Sequence, residues 1–120
     1  MANLFFIISK GFDQAGAATR ALQFASIAVD KGHKVEIFLI DDAVPYAVAG
    51  MAKGLHATTG ESMQDFIDKL VNAKVIFHVC KPCADKRLIS PDDLIPTGKF
   101  SVGSDLIDLI SDPERKVLTF

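Results

Sequence analysis

The chain has little cysteine: two residues in 120, three positions apart. A pair that close cannot staple distant parts of a fold, so a secreted disulfide scaffold is excluded and a reducing cytoplasm is the expected setting. Net charge is also small, at a formal −2, which supplies no global attraction to nucleic acid or to an anionic membrane. No apolar run approaches the roughly 20 residues of a membrane span. The opening stretch Met1-Ala2-Asn3-Leu4-Phe5-Phe6-Ile7-Ile8 has no basic segment and soon gives way to Ser9-Lys10-Gly11. It reads as a first strand rather than a signal peptide. Repeats, low-complexity tracts and linkers are missing too, so a single domain over residues 1–120 is expected.

What is present is a globular composition, 49% hydrophobic and 23% charged. Leu4 to Ile8 is a continuous apolar run, which suits an inner parallel strand covered on both faces. A first helix is expected from Ala15 to Lys31, with Leu22, Ala25, Ile27, Ala28 and Val29 on its apolar face and Gly32 as its stop. Gly11 and Gly16 have the outer spacing of a phosphate-binding loop, but Ala17-Ala18 stands where such a loop needs Lys and Ser or Thr. No cofactor is therefore called for. A second strand runs from Val35 to Ile40 and closes on Asp41-Asp42, two acids that read as solvated turn residues with Asp42 capping the next segment. From Val44 to Met51 a short apolar helix is expected, and then a mobile loop, together forming a pocket wall or a subunit contact.

The remaining elements continue the alternation. Phe66, Ile67, Leu70 and Val71 are at helical spacing, Val75 to Val79 is a strand, and a short helix runs through Arg87. Ser90-Pro91 begins a single helical turn, Lys99 to Val102 is a brief strand, Gly103 to Ile110 a helix, and Arg115 to Phe120 the last strand. Strand–helix alternation with short connections implies a three-layer α/β/α domain with a mostly parallel sheet of about five strands and flavodoxin-like winding.

The chemistry concentrates in Val75-Ile76-Phe77-His78-Val79-Cys80-Lys81-Pro82-Cys83. The strand delivers Cys80 at its C-terminal end, where open parallel sheets carry their sites. Pro82 suits a first helical turn, which puts Cys83 inside that turn and both sulfurs beside unpaired backbone N–H groups. A thiolate there is stabilised by those donors and by the positive end of the helix dipole, with Lys81, Lys86 and Arg87 adding charge. The competing reading is that both cysteines are buried small hydrophobes.

The whole series resembles the DsrE/DsrF-like proteins, small α/β domains related to the sulfur-relay subunits of the Tus type. The resemblance rests on the order of the apolar first strand, Lys31-Gly32-His33, Asp41-Asp42-Ala43-Val44, Val79-Cys80-Lys81-Pro82-Cys83, Pro91-Asp92-Asp93-Leu94-Ile95-Pro96, Phe100-Ser101-Val102-Gly103 and Lys116-Val117-Leu118-Thr119-Phe120. It implies that Cys80 carries sulfur as a persulfide, that Cys83 resolves or shares it, and that Lys81 and Arg87 support the perthiolate. It further implies sulfur donor and acceptor proteins as partners, and a trimer or hexamer. At Arg87-Leu88-Ile89 the chain departs from its relatives, which commonly have Gly after the Arg.

Three other readings compete. Cys80-Lys81-Pro82-Cys83 has the spacing of a dithiol–disulfide oxidoreductase, although it comes after two βα units rather than one. A metal held by His78, Cys80 and Cys83 lacks a fourth ligand, with Glu61 the nearest Glu on the N-terminal side, so no metal is expected. As a lone His among apolar residues, His78 reads as a satisfied core residue, and His56 is a weaker candidate still. The last reading is an oligomeric binding subunit with inert cysteines.

Overall fold

The computed structural model describes residues 1–120. Its strands are β1 (Asn3–Ile8), β2 (Lys34–Leu39), β3 (Ile76–Cys80), β4 (Gly98–Ser101) and β5 (Arg115–Thr119). The helices are α1 (Ala15–Asp30), α2 (Met63–Asn72), α3 (Lys81–Lys86) and α4 (Gly103–Ile110). All five strands are parallel, in the order β4-β3-β2-β1-β5. The expected parallel α/β arrangement is present, but the winding differs from flavodoxin, where the first strand sits between the second and third. Here three successive crossovers step the same way before one long return.

Handedness then decides which face each helix covers. Right-handed crossovers that step in one direction place their helices on one face, and the return from β4 to β5 puts α4 on the other. The first face is the main core. Phe6, Ile8, Ile37, Leu39, Phe77 and Val79 are buried there, each fully buried large side chain contributing about 1.5–3 kcal/mol. Ala18, Ala21, Leu22, Ala25 and Ala28 make the buried apolar stripe of α1. Met63, Phe66, Ile67 and Leu70 do the same for α2.

The second face is thinly covered. No residue of α4 is fully buried, and Ile107 and Val117 remain 58% and 42% exposed. Phe5, Phe38 and His78 lie beneath, with ring centroids 6.0–6.5 Å apart.

The segment after β2 corrects the sequence reading. Instead of a helix from Val44 to Met51 there is a 3₁₀ segment, Asp41–Ala47, with Pro45 inside it. Proline has no N–H to give to an α-helical ladder, so a longer helix is disfavoured. Ala43, Val44, Tyr46 and Ala47 are buried, so these side chains belong to the core and not to a subunit contact. The segment is tied down by Ile95 N–H to Ala47 O (2.8 Å) and Ala49 N–H to Asp93 O (2.9 Å).

Three helices end in the same way. Their C-terminal carbonyls are closed by paired bonds, His33 N–H to Ala28 O and Gly32 N–H to Val29 O for α1, with equivalents at Val75 and Lys74 for α2 and at Ile89 and Leu88 for α3. This closure needs a left-handed residue, usually glycine. Gly32 supplies it once, while Lys74 (φ +65°) and Leu88 (φ +58°) adopt it without that freedom.

Candidate functional site

Adjacent strand ends build the site. β3 ends on Cys80, and α3 begins at once with Pro82 in its first turn, so Cys80 is the capping residue and Cys83 lies one turn away. The Cys83 thiol lies 2.6 Å from the Cys80 sulfur, and no disulfide joins them. Beside them, β2 leads into Asp41, which is left-handed (φ +54°) although not glycine. Its N–H donates to the Cys83 sulfur at 3.3 Å, and its carboxylate Oδ1 is 3.9 Å from the same sulfur. Strained backbone of this kind persists where the surroundings hold it, often at functional sites.

Arg87 braces the arrangement. One guanidinium nitrogen donates to the Asp42 carboxylate at 2.6 Å and another to the Cys83 carbonyl at 3.1 Å. The turn after β1 packs closely against Asp42 from behind, because a Cβ on Gly11 would lie 2.8 Å from the Asp42 carbonyl oxygen. A groove of about 530 Å³ opens here, lined by Asp41, Asp42, Pro82, Cys83, Lys86 and Arg87.

The two sulfurs differ. Cys80 is 9% exposed and Cys83 is partly exposed. Burial pushes the Cys80 thiol up to about 11, helped by the bond from Cys83 and by the negative charge of Asp41. At Cys80 the loss of water opposes the thiolate that the helix start favours. Lys81 does not reach the sulfurs either. Its ammonium is 2.9 Å from both carboxylate oxygens of Asp85 and stands 5.5 Å from the centre of the Phe100 ring.

His78 is a satisfied core histidine, as its apolar neighbours in sequence suggest. Nε2 lies 3.0 Å from Glu36 Oε2 and Nδ1 3.3 Å from Ser101 Oγ. Glu36 also accepts from Arg115 Nε at 2.9 Å. Burial holds the His78 pKa below its ordinary value, with Glu36 opposing. For Glu36, burial alone would raise the carboxyl, but the bonds from His78 and Arg115 prevail and lower it. With both ring nitrogens engaged, His78 does not join the cysteines. His56 and Glu61 line a separate groove, and Glu61 is bonded to Gln23 and Thr59.

The structure brings both cysteines and Arg87 together, as the sequence led one to expect, and adds Asp41 beside Cys83 and Gly11 against Asp42, which sequence reasoning missed. The only sequence signal was the strand-end position of Asp41-Asp42, and neither the left-handed turn nor the contact with Gly11 can be read from it.

Comparison with known proteins agrees with this architecture. Two archaeal relatives are similar in sequence: the uncharacterized protein MJ0989 of Methanocaldococcus jannaschii, 28% identical over 103 residues (86% of each chain), and the uncharacterized protein MK0008 of Methanopyrus kandleri, 25% identical over 100 residues (83% of this chain, 79% of the relative). Among solved structures, the ychN protein of E. coli superposes with a TM-score of 0.84 at 23% identity over the full length of both chains. Protein MTH1491 of Methanobacterium thermoautotrophicum gives 0.72 at 13% identity, again over both full lengths. These structures share the fold. The DsrE/DsrF-like family matches residues 2–120, and the chain belongs to that family, whose type at a coarse level is the sulfur relay.

Proposed function

We propose that the protein carries sulfur as a persulfide on the Cys80–Cys83 pair and exchanges it with donor and acceptor proteins in a reducing cytoplasm. The observation that carries this reading is the contact of the two sulfurs at the C-terminal end of β3, beside a surface groove that Cys83 lines. Persulfide exchange needs a nucleophilic sulfur, partial exposure and room for donor and acceptor to dock in turn. Family membership supports the class of chemistry. Assembly as a trimer or hexamer belongs to the same proposal, and the exposed apolar side chains Ile107 and Val117 on the α4 side are consistent with it.

Intact mass after incubation with cysteine persulfide tests it. The wild type gains about 32 Da per sulfur held, or loses about 2 Da if the pair closes to a disulfide, while the Cys80→Ser/Cys83→Ser double variant does neither. An unchanged wild type sinks the proposal. The sulfur–sulfur contact also favours a second reading, a dithiol–disulfide oxidoreductase. That protein would close its disulfide on a disulfide substrate such as oxidised glutathione and release no sulfide.

A further inference from the structure

We infer that Cys83 is the sulfur that meets the donor, and that Cys80 is the resolving thiol that expels the received sulfur as sulfide, the reverse of the roles that the resemblance implies; this rests on the persulfide reading of the same site. Three observations of geometry carry the order of events. Cys83 lines the groove at the end of β2 and β3, whereas Cys80 lines none of the surface grooves of the molecule. The Asp41 N–H points at Cys83 and so meets the negative charge of its thiolate. The Asp41 carboxylate accepts a hydrogen bond from the same sulfur at 3.9 Å and so holds the thiol in place.

The first step exchanges sulfur without redox change in the protein. Cys83 loses its proton to water and attacks the terminal sulfur of a persulfide R–S–SH. A bond forms between Cys83 and that sulfur, the donor S–S bond breaks, and the thiolate leaving group takes a proton from water to leave as R–SH. Cys83–S–SH remains in the groove, where an acceptor thiolate can take the outer sulfur.

The second step is internal. The Cys80 sulfur touches the Cys83 sulfur itself, which is the inner atom of the persulfide. Attack there forms Cys80–S–S–Cys83 and releases the outer sulfur as H₂S, carrying the Cys80 proton and the persulfide proton. The two cysteines are oxidised, the sulfane sulfur is reduced to sulfide, and a dithiol reductant reopens the pair. Burial keeps Cys80 protonated, so resolution is slow and leaves time for transfer to an acceptor.

Cysteine persulfide is the probe, applied to the full chain and to Cys80→Ser, Cys80→Ala and Cys83→Ser. The alanine variant controls for a serine that fits the buried position badly. Expected are a stable gain of about 32 Da on both Cys80 variants and no gain on Cys83→Ser in the same time. The wild type should end about 2 Da lighter with one equivalent of sulfide released. A persulfide on Cys83→Ser that forms as fast as on the Cys80 variants overturns the assignment and leaves the relay reading standing. No change in any protein, wild type included, removes the relay reading as well.

Discussion

Asp42 and Arg87 meet at 2.6 Å across the gap between the ends of β2 and β3, and the same guanidinium holds the Cys83 carbonyl. The bond ties the first turn of α3 to the neighbouring loop, so it fixes where the Cys83 sulfur lies relative to Asp41. Asp42 is largely exposed, and pairs of that kind contribute about 0.2–1 kcal/mol. Arg87→Met should therefore cost less than about 1 kcal/mol in urea denaturation. It should slow sulfur uptake from cysteine persulfide by more than that loss implies. Uptake at the wild-type rate would show that the bracing is not needed.

Gly11 is a close-approach glycine. An added Cβ would meet Asp42 backbone and Cβ atoms at 2.8–2.9 Å, and neither can swing away as a long side chain can. Gly11→Ala should destabilise the protein by about 1–3 kcal/mol, read as a lower urea midpoint, and should disturb Cys83 labelling by displacing the Asp41–Asp42 turn.

Leu88 is 89% exposed and left-handed, and Lys74 is left-handed as well. The left-handed region costs a residue with a Cβ about 1–2 kcal/mol, offset by about 0.5–1 kcal/mol for the extra freedom glycine has when unfolded. Leu88→Gly and Lys74→Gly should each stabilise by about 0.5–1 kcal/mol. Thermal melts of the two variants and their combination measure this, and unchanged or lower melting temperatures would count against it.

Acid should weaken the fold through His78 and Glu36. Burial lowers the His78 pKa from 6.5, so the unfolded chain takes up that proton first. Its contribution is present above pH 6.5 and is lost as pH falls through the lowered folded value. Glu36 acts in the same direction, its contribution present above 4.5 and lost below. Urea midpoints should fall steadily from neutral pH into the acid range, and His78→Gln should flatten the upper part of that curve.

Cys80 should show its burial in the alkaline range. With Cys83 replaced by Ser, which leaves the burial in place, alkylation of Cys80 by iodoacetamide should rise about tenfold per pH unit into the alkaline range. A plateau near neutral pH would mean an exposed, activated thiolate instead.

The amino-acid sequence by itself determined the succession of elements, because helical and strand periodicities are local. It placed α4 at Gly103–Ile110, put Cys80 at a strand end with Pro82 starting the helix, and marked His78 as a core residue. Tertiary structure alone decided the strand order, the burial of Ala43 to Ala47, the desolvation of Cys80, and the meeting of Asp41 with Cys83 and Asp42 with Arg87. Those bonds join residues 42 and 45 positions apart. Such contacts depend on which strands lie side by side and how closely their end loops pack, and no periodicity along the chain encodes either.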